Sequence, residues 1–178
     1  MSTPTERPPG DTGPGLFPDS NPRNLLPAAT YDSVVGTVLD SNPGMDVETA
    51  RRITGEGIKF TVTAAMNPGL PMAPSRTVDE GWHALILHTA PYAALCAQFG
   101  EFVHHYPGYD PDNHDPDVMN RTVRAIGAAG FEVDTGLWRA PTDAGLVSVA
   151  ANCAHSPCNN TPIQPMPTPQ PLPSPRKD

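Results

Sequence analysis

Apolar residues recur at helical intervals through the middle of this chain and thin out towards both ends. Val34, Val35, Val38 and Leu39 share one side of a helix predicted over residues 32–39, which the turn signal Asn42-Pro43-Gly44 stops. Asp46 can cap a second helix with Glu48 in its first turn, and Ala50, Ile53, Phe60 and Ala64 then return near the helical period. Gly55 and Gly57 weaken that helix, so a break into two pieces is expected. Thr77 or Ser75 caps a third, with Val78, Trp82, Leu85, Ile86 and Thr89 as one apolar stripe. Thr89 is expected to cap a fourth helix with Pro91 in its first turn, carrying Tyr92, Leu95, Cys96, Phe99, Phe102 and Val103. A last helix is predicted to start at an Asp117 cap and run through Ala129, with Val118, Thr122, Ala125 and Ile126 inward and Gly130 as its stop. Phe131 to Trp138 returns to the core as an extended piece. No stretch alternates clearly, so the expectation is a mainly α protein, a small single-domain helical bundle.

Proline sets the limits of that bundle. Seven of the 24 prolines fall in residues 1–27 and eight in 156–178. Such segments cannot bury enough apolar surface to offset the entropy of ordering. The chain therefore divides into a disordered Pro/Gly-rich tail (1–27), a helical domain (28–152), and a Cys/His cluster with a disordered Pro-rich tail (153–178). The PxxP spacings of 161–173 suit a spacer or an aromatic groove on an unknown protein partner.

Charge narrows the class of function. Lys+Arg 11 against Asp+Glu 19 leaves −8, which disfavours nucleic acid and anionic lipid. No apolar run spans a membrane, and the N-terminus lacks the basic start and apolar run of a secretory signal. Three cysteines are too few for a disulfide framework and fit a reducing compartment, so the expected location is cytoplasmic.

The histidines carry the candidate chemistry. Four of the six, His83, His88, His104 and His105, fall within 23 residues. At about 100° per residue, Asp79 and His83 share a flank of the helix bearing Trp82, while His88 points about 140° away from His83. Alone, His83 reads as a boundary histidine held by Asp79 or a backbone carbonyl. With its neighbours it reads as part of a metal site, Asp79 and His83 joined by His104 or His105 from the end of the following helix. Imidazole plus carboxylate suits zinc or another divalent transition metal such as Ni, Cu or Fe(II). A second, weaker candidate is Cys153, His155 and Cys158, which offers three ligands where structural zinc takes four. Asp110, Asp112, Asp115 and Asp117 lack the glycine and closing glutamate of a calcium loop. No GxSxG, GxxxxGK[ST], HExxH or strand-borne GxGxxG motif occurs.

The run Pro74-Ser75, Val78-Asp79-Glu80-Gly81-Trp82-His83, Ile86-Leu87, Tyr92, Cys96, Phe99-Gly100-Glu101-Phe102 and His104-His105-Tyr106-Pro107 resembles the bacterial branch of the glycine-rich domain-containing protein-like family. The resemblance covers about residues 45–140 and is specific over 74–107. It implies a small helical domain whose signature positions are Asp79, Trp82, His83, His104 and His105, and it implies no established reaction. With 15 glycines and no glycine-rich stretch, this chain does not take over the roles of the plant members. Two functions follow as expectations. One is a small binding or interaction domain with a transition-metal site at the His/Asp cluster. The other is a metal-dependent, or accessory, enzyme of specialised metabolism using Asp79, His83 and His104.

Overall fold

The structure is a computed structural model that describes residues 21–105 and 115–138. Among these residues there are five α-helices, a short 3-10 helix at Pro22–Leu25, and no strand. The mainly α expectation holds. The helices are α1 (Ala28–Ser41), α2 (Val47–Met66), α3 (Arg76–Leu87), α4 (Thr89–Phe99) and α5 (Val118–Ala128).

Helix α2 is the central element. Its N-terminus is capped by Asp46, whose side chain accepts from the Thr49 N–H. From Ile53 to Ala65 every residue except Lys59 is buried, so α2 meets neighbours on all sides and lacks one solvent face. The expected break at its glycines does not occur; α2 is continuous over 20 residues. A Cβ on Gly57 would lie 2.7 Å from the Gly81 carbonyl carbon, and one on Gly81 would collide with the Ile53 carbonyl oxygen. The two glycines thus let α2 and α3 touch backbone to backbone. The packing gained there offsets the helix propensity lost, about 1 kcal/mol per glycine.

Helix α3 starts where Ser75 rather than Thr77 caps it. The Ser75 Oγ accepts from the Val78 N–H and donates to the Leu137 carbonyl at 2.6 Å. One buried hydroxyl therefore starts α3 and pins the returning segment 131–138, where Phe131, Leu137 and Trp138 are buried. Between α3 and α4 the junction residue is His88, which makes no side-chain cap, and Thr89 is already helical. The expected Thr89 cap is corrected accordingly. His88 instead places Nε2 3.1 Å from the Thr37 hydroxyl of α1. Asp117 likewise makes no side-chain cap for α5; its carboxylate accepts from Asn120 and Arg124.

The apolar core gathers Val34, Val38, Ile53, Ile58, Phe60, Val62, Met72, Val78, Trp82, Leu85, Tyr92, Leu95 and Ile126. Leu26 is also buried and Pro22 rests against Gly55, so packing extends ahead of residue 28. Among the described residues no helix is long and apolar enough to cross a membrane.

Candidate metal centre

Asp79 sits in the first turn of α3, and its side chain is 1% exposed. His83 lies one turn later on the same flank, as the helical period requires. Its Nδ1 is 2.9 Å from the Asp79 carbonyl oxygen and 3.6 Å from Asp79 Oδ2. The third side chain comes from beyond α4. The backbone turns at Gly100, where the Glu101 N–H donates to the Ala65 carbonyl at 3.1 Å, and residues 102–105 run back past α3. His105 then places Nε2 3.4 Å from Asp79 Oδ1.

A chain of buried hydrogen bonds fixes that return. Trp82 Nε1 donates to the Tyr92 hydroxyl at 3.1 Å, and the Tyr92 hydroxyl donates to the Val103 carbonyl. Burial pushes the Tyr92 phenol well above its ordinary pKa, so it stays a neutral donor. Trp82 is fully buried and meets Phe60 edge-on at a ring-centroid distance of 4.8 Å. The His105 ring packs between Trp82, at 4.6 Å, and His83, at 4.3 Å. Trp82 thus shapes the site from behind, which its place in the sequence run does not reveal.

Asp79, His83 and His105 each offer a ligand atom, all within 4.8 Å of one another. Two ligands held 2.0–2.2 Å from one ion sit roughly 3–3.5 Å apart. The 3.4 Å between His105 Nε2 and Asp79 Oδ1 falls in that range. Asp79 Oδ2 is buried and has no hydrogen-bond partner among the described residues. A buried carboxylate oxygen in that position calls for a cation, either a proton on a facing ring or a metal ion. His83 can keep Nδ1–H on the Asp79 carbonyl and offer Nε2 to an ion, the usual way a backbone oxygen orients a ligating imidazole.

Of the two adjacent histidines, the structure brings His105 to Asp79 and leaves His104 out. His104 is exposed and packs on Phe102 at 4.9 Å, on the other side of the extended segment. Alternate residues of extended backbone face opposite ways, so one of the pair had to be excluded. Phe102, expected on the apolar stripe of α4, lies beyond the helix end and is 49% exposed. His88 contacts Thr37 and takes no part in the cluster, as its wheel angle requires. Cys153, His155 and Cys158, and most of the acidic loop, lie outside the described residues.

One charged group escaped the sequence reading. Glu56 of α2 is 1% exposed, and Lys59 Nζ donates to its Oε1 at 2.6 Å. The Asp134 N–H donates to Oε1 at 3.2 Å and Trp138 Nε1 to Oε2 at 2.6 Å. The available signal was a Glu–Lys pair at i, i+3 inside an otherwise apolar helix. The tryptophan partner, 82 residues away, has no signal in the sequence.

The model of one protein family, described as UCP032817-like, matches residues 30–124. That span runs from the first turn of α1 into α5 and contains all three residues of the cluster. No curated protein and no solved structure matches the chain.

Proposed function

This chain belongs to the UCP032817-like family, and from the cluster inside the matched span we propose that it is a small helical binding domain holding a divalent transition metal on Asp79, His83 and His105. The observation that carries the reading is the Asp79 carboxylate, buried between two imidazoles with one oxygen left without a hydrogen-bond partner. Removing a charge from water is costly unless it is paired, and an ion would serve both oxygens where one proton serves one. Two nitrogens and one oxygen suit zinc, nickel, copper or Fe(II). The finer kinship, to the glycine-rich domain-containing protein-like family, rests on the run from Pro74 to Pro107 and belongs to this proposal.

The test is metal content and metal affinity of untagged protein. One equivalent of ion is expected, lost in Asp79→Asn and His105→Ala and retained in His104→Ala and His88→Ala. Equal retention in all four would overturn the assignment. A metal-dependent enzyme is the second reading, now with His105 in the place expected for His104. It draws on two features: three protein ligands leave room for water, and the His83 side chain is 34% exposed. Exchange-labile water on the bound ion would favour this second reading. A cytoplasmic location and a protein partner for the PxxP spacings of 161–173 complete the proposal and rest on the sequence alone.

A further inference from the structure

A second polar site lies apart from the metal cluster, where the 3-10 turn Pro22–Leu25, Tyr31 of α1, α2 and Asp134 meet. It is an open cavity of about 370 Å³ lined by the cations Arg23, Arg51, Arg52 and Lys59 and the carboxylates Glu48, Glu56 and Asp134. None of Asp79, His83 or His105 borders it. Its volume is that of a small-molecule site.

Two of the three carboxylates on its wall are committed, and the third, Glu48, faces Arg51 at 3.8 Å. Glu56 takes three hydrogen bonds, from Lys59, the Asp134 N–H and Trp138. Asp134 takes Arg52 Nε on Oδ2 and the Gly136 N–H on Oδ1. The donors are in excess. Arg52 makes its bond to Asp134 through Nε, and a guanidinium has four further N–H groups on its terminal nitrogens. Arg51 reaches Glu48 only as a 3.8 Å ion pair, and Arg23 reaches Asp32 at 3.4 Å, both at exposed positions. These last two are the loosest cations of the wall, and they flank one aromatic face. The Arg23 guanidinium lies 5.3 Å from the centre of the Tyr31 ring, and the Tyr31 hydroxyl donates to the Arg51 carbonyl.

Four cations facing three carboxylates, with guanidinium N–H groups to spare, complement an anion. We propose that this cavity binds a small polyanionic metabolite, bearing carboxylate or phosphate groups, with Arg23, Arg51 and Arg52 as its main contacts. Tyr31, 5% exposed, holds the Arg23 guanidinium over its ring and so fixes that cation at the rim. The whole chain carries −8, so attraction of an anion here is local and owes nothing to net charge. The proposal is independent of the metal reading.

The experiment uses the full chain stripped of metal, titrated at low salt with citrate in one arm and pyrophosphate in the other. Amide chemical shifts report where each probe acts. Saturable shifts centred on Arg51, Arg52 and Tyr31 are expected with at least one probe, and the responding arm identifies carboxylate or phosphate as the preferred group. Arg23→Gln and Arg51→Gln, both exposed and outside the core, should each weaken binding roughly tenfold, the value of one charge-assisted hydrogen bond. Arg124→Gln, remote from the cavity, should leave affinity unchanged. Shifts that never saturate in either arm, or an equal loss in Arg124→Gln, would overturn the proposal. Failure here with metal still bound at Asp79 would leave the metal reading standing, and the reverse result would separate the two sites equally well.

Discussion

Asp79 shows how little of a site one residue's neighbours in sequence reveal. Its first-turn position favours a carboxylate through the helix dipole, and a surface aspartate there would be unremarkable. Burial beneath His83 and His105 changes its chemistry. Copper(II), a paramagnetic probe, should quench Trp82 fluorescence on binding, because the Trp82 ring contacts His105 at 4.6 Å. Asp79→Asn should abolish that quenching and His88→Ala should preserve it; unchanged quenching in Asp79→Asn would place the ion elsewhere. Protons compete with the ion for imidazole, so the same titration should show weaker binding on acidification. Trp82 itself is fully buried, and Trp82→Ala should cost ~3–5 kcal/mol in denaturant unfolding. A loss below ~1 kcal/mol would contradict its place in the core.

Asp134 gives a pH prediction at the same scale. Arg52 beside it holds its carboxyl below the usual carboxylate range, with Arg52 Nε 2.7 Å from Oδ2. A depressed folded pKa means that the folded protein binds fewer protons. The pair's contribution is therefore present above the unfolded carboxylate pKa and is lost as pH falls through the folded one. Both side chains are partly exposed, 46% and 28%, so the contribution is small, ~0.5 kcal/mol. Urea unfolding should separate wild type from Asp134→Asn by that amount at neutral pH, and the gap should close in acid. A gap that widens on acidification would reverse the sign.

At the scale of elements, the contact between α2 and α3 is the joint that places Asp79. Gly57 and Gly81 bring the helices closer than side chains would allow. Gly81→Ala, whose new Cβ would meet the Ile53 backbone, should destabilise by ~1–3 kcal/mol or more. Gly36→Ala in α1, which meets nothing within 4 Å, should be neutral or stabilising because alanine is the better helix former. Equal effects of the two substitutions in chemical denaturation would show that the helices do not touch as described. Helical periodicity predicted the flank shared by Asp79 and His83, since both lie on one helix. It weighed Gly57 as propensity alone and gave Gly81 no role, because their value lies in an approach between helices that a single-helix pattern does not encode.

At the scale of the whole molecule, the packed unit starts before the helix pattern does. Leu26 is 7% exposed, and Pro22 touches Gly55 of α2. A chain beginning at residue 28 should therefore melt several degrees below one beginning at residue 21, because it loses a buried leucine, ~2 kcal/mol or more. Identical melting temperatures would show that the 3-10 turn adds nothing. The proline count predicted a boundary at residue 27, since composition registers what disfavours helix and does not register which of those residues packs.

Amphipathic spacing, capping residues and turn signals are local properties, so the helical class and the rough positions of the five helices among the described residues were legible in the chain. The pairing of Asp79 with His83 was legible for the same reason, being one helical turn. Only the tertiary structure decided between His104 and His105. That choice depends on how residues 102–105 cross α3, and on the Trp82–Tyr92–Val103 hydrogen bonds that hold them there. The Glu56–Trp138 bond and the cavity that brings Arg23 to Arg52 and Asp134 belong to the same category. Each joins residues far apart in sequence, and their meeting depends on the packing of the whole core, which no local pattern of apolar and polar positions specifies.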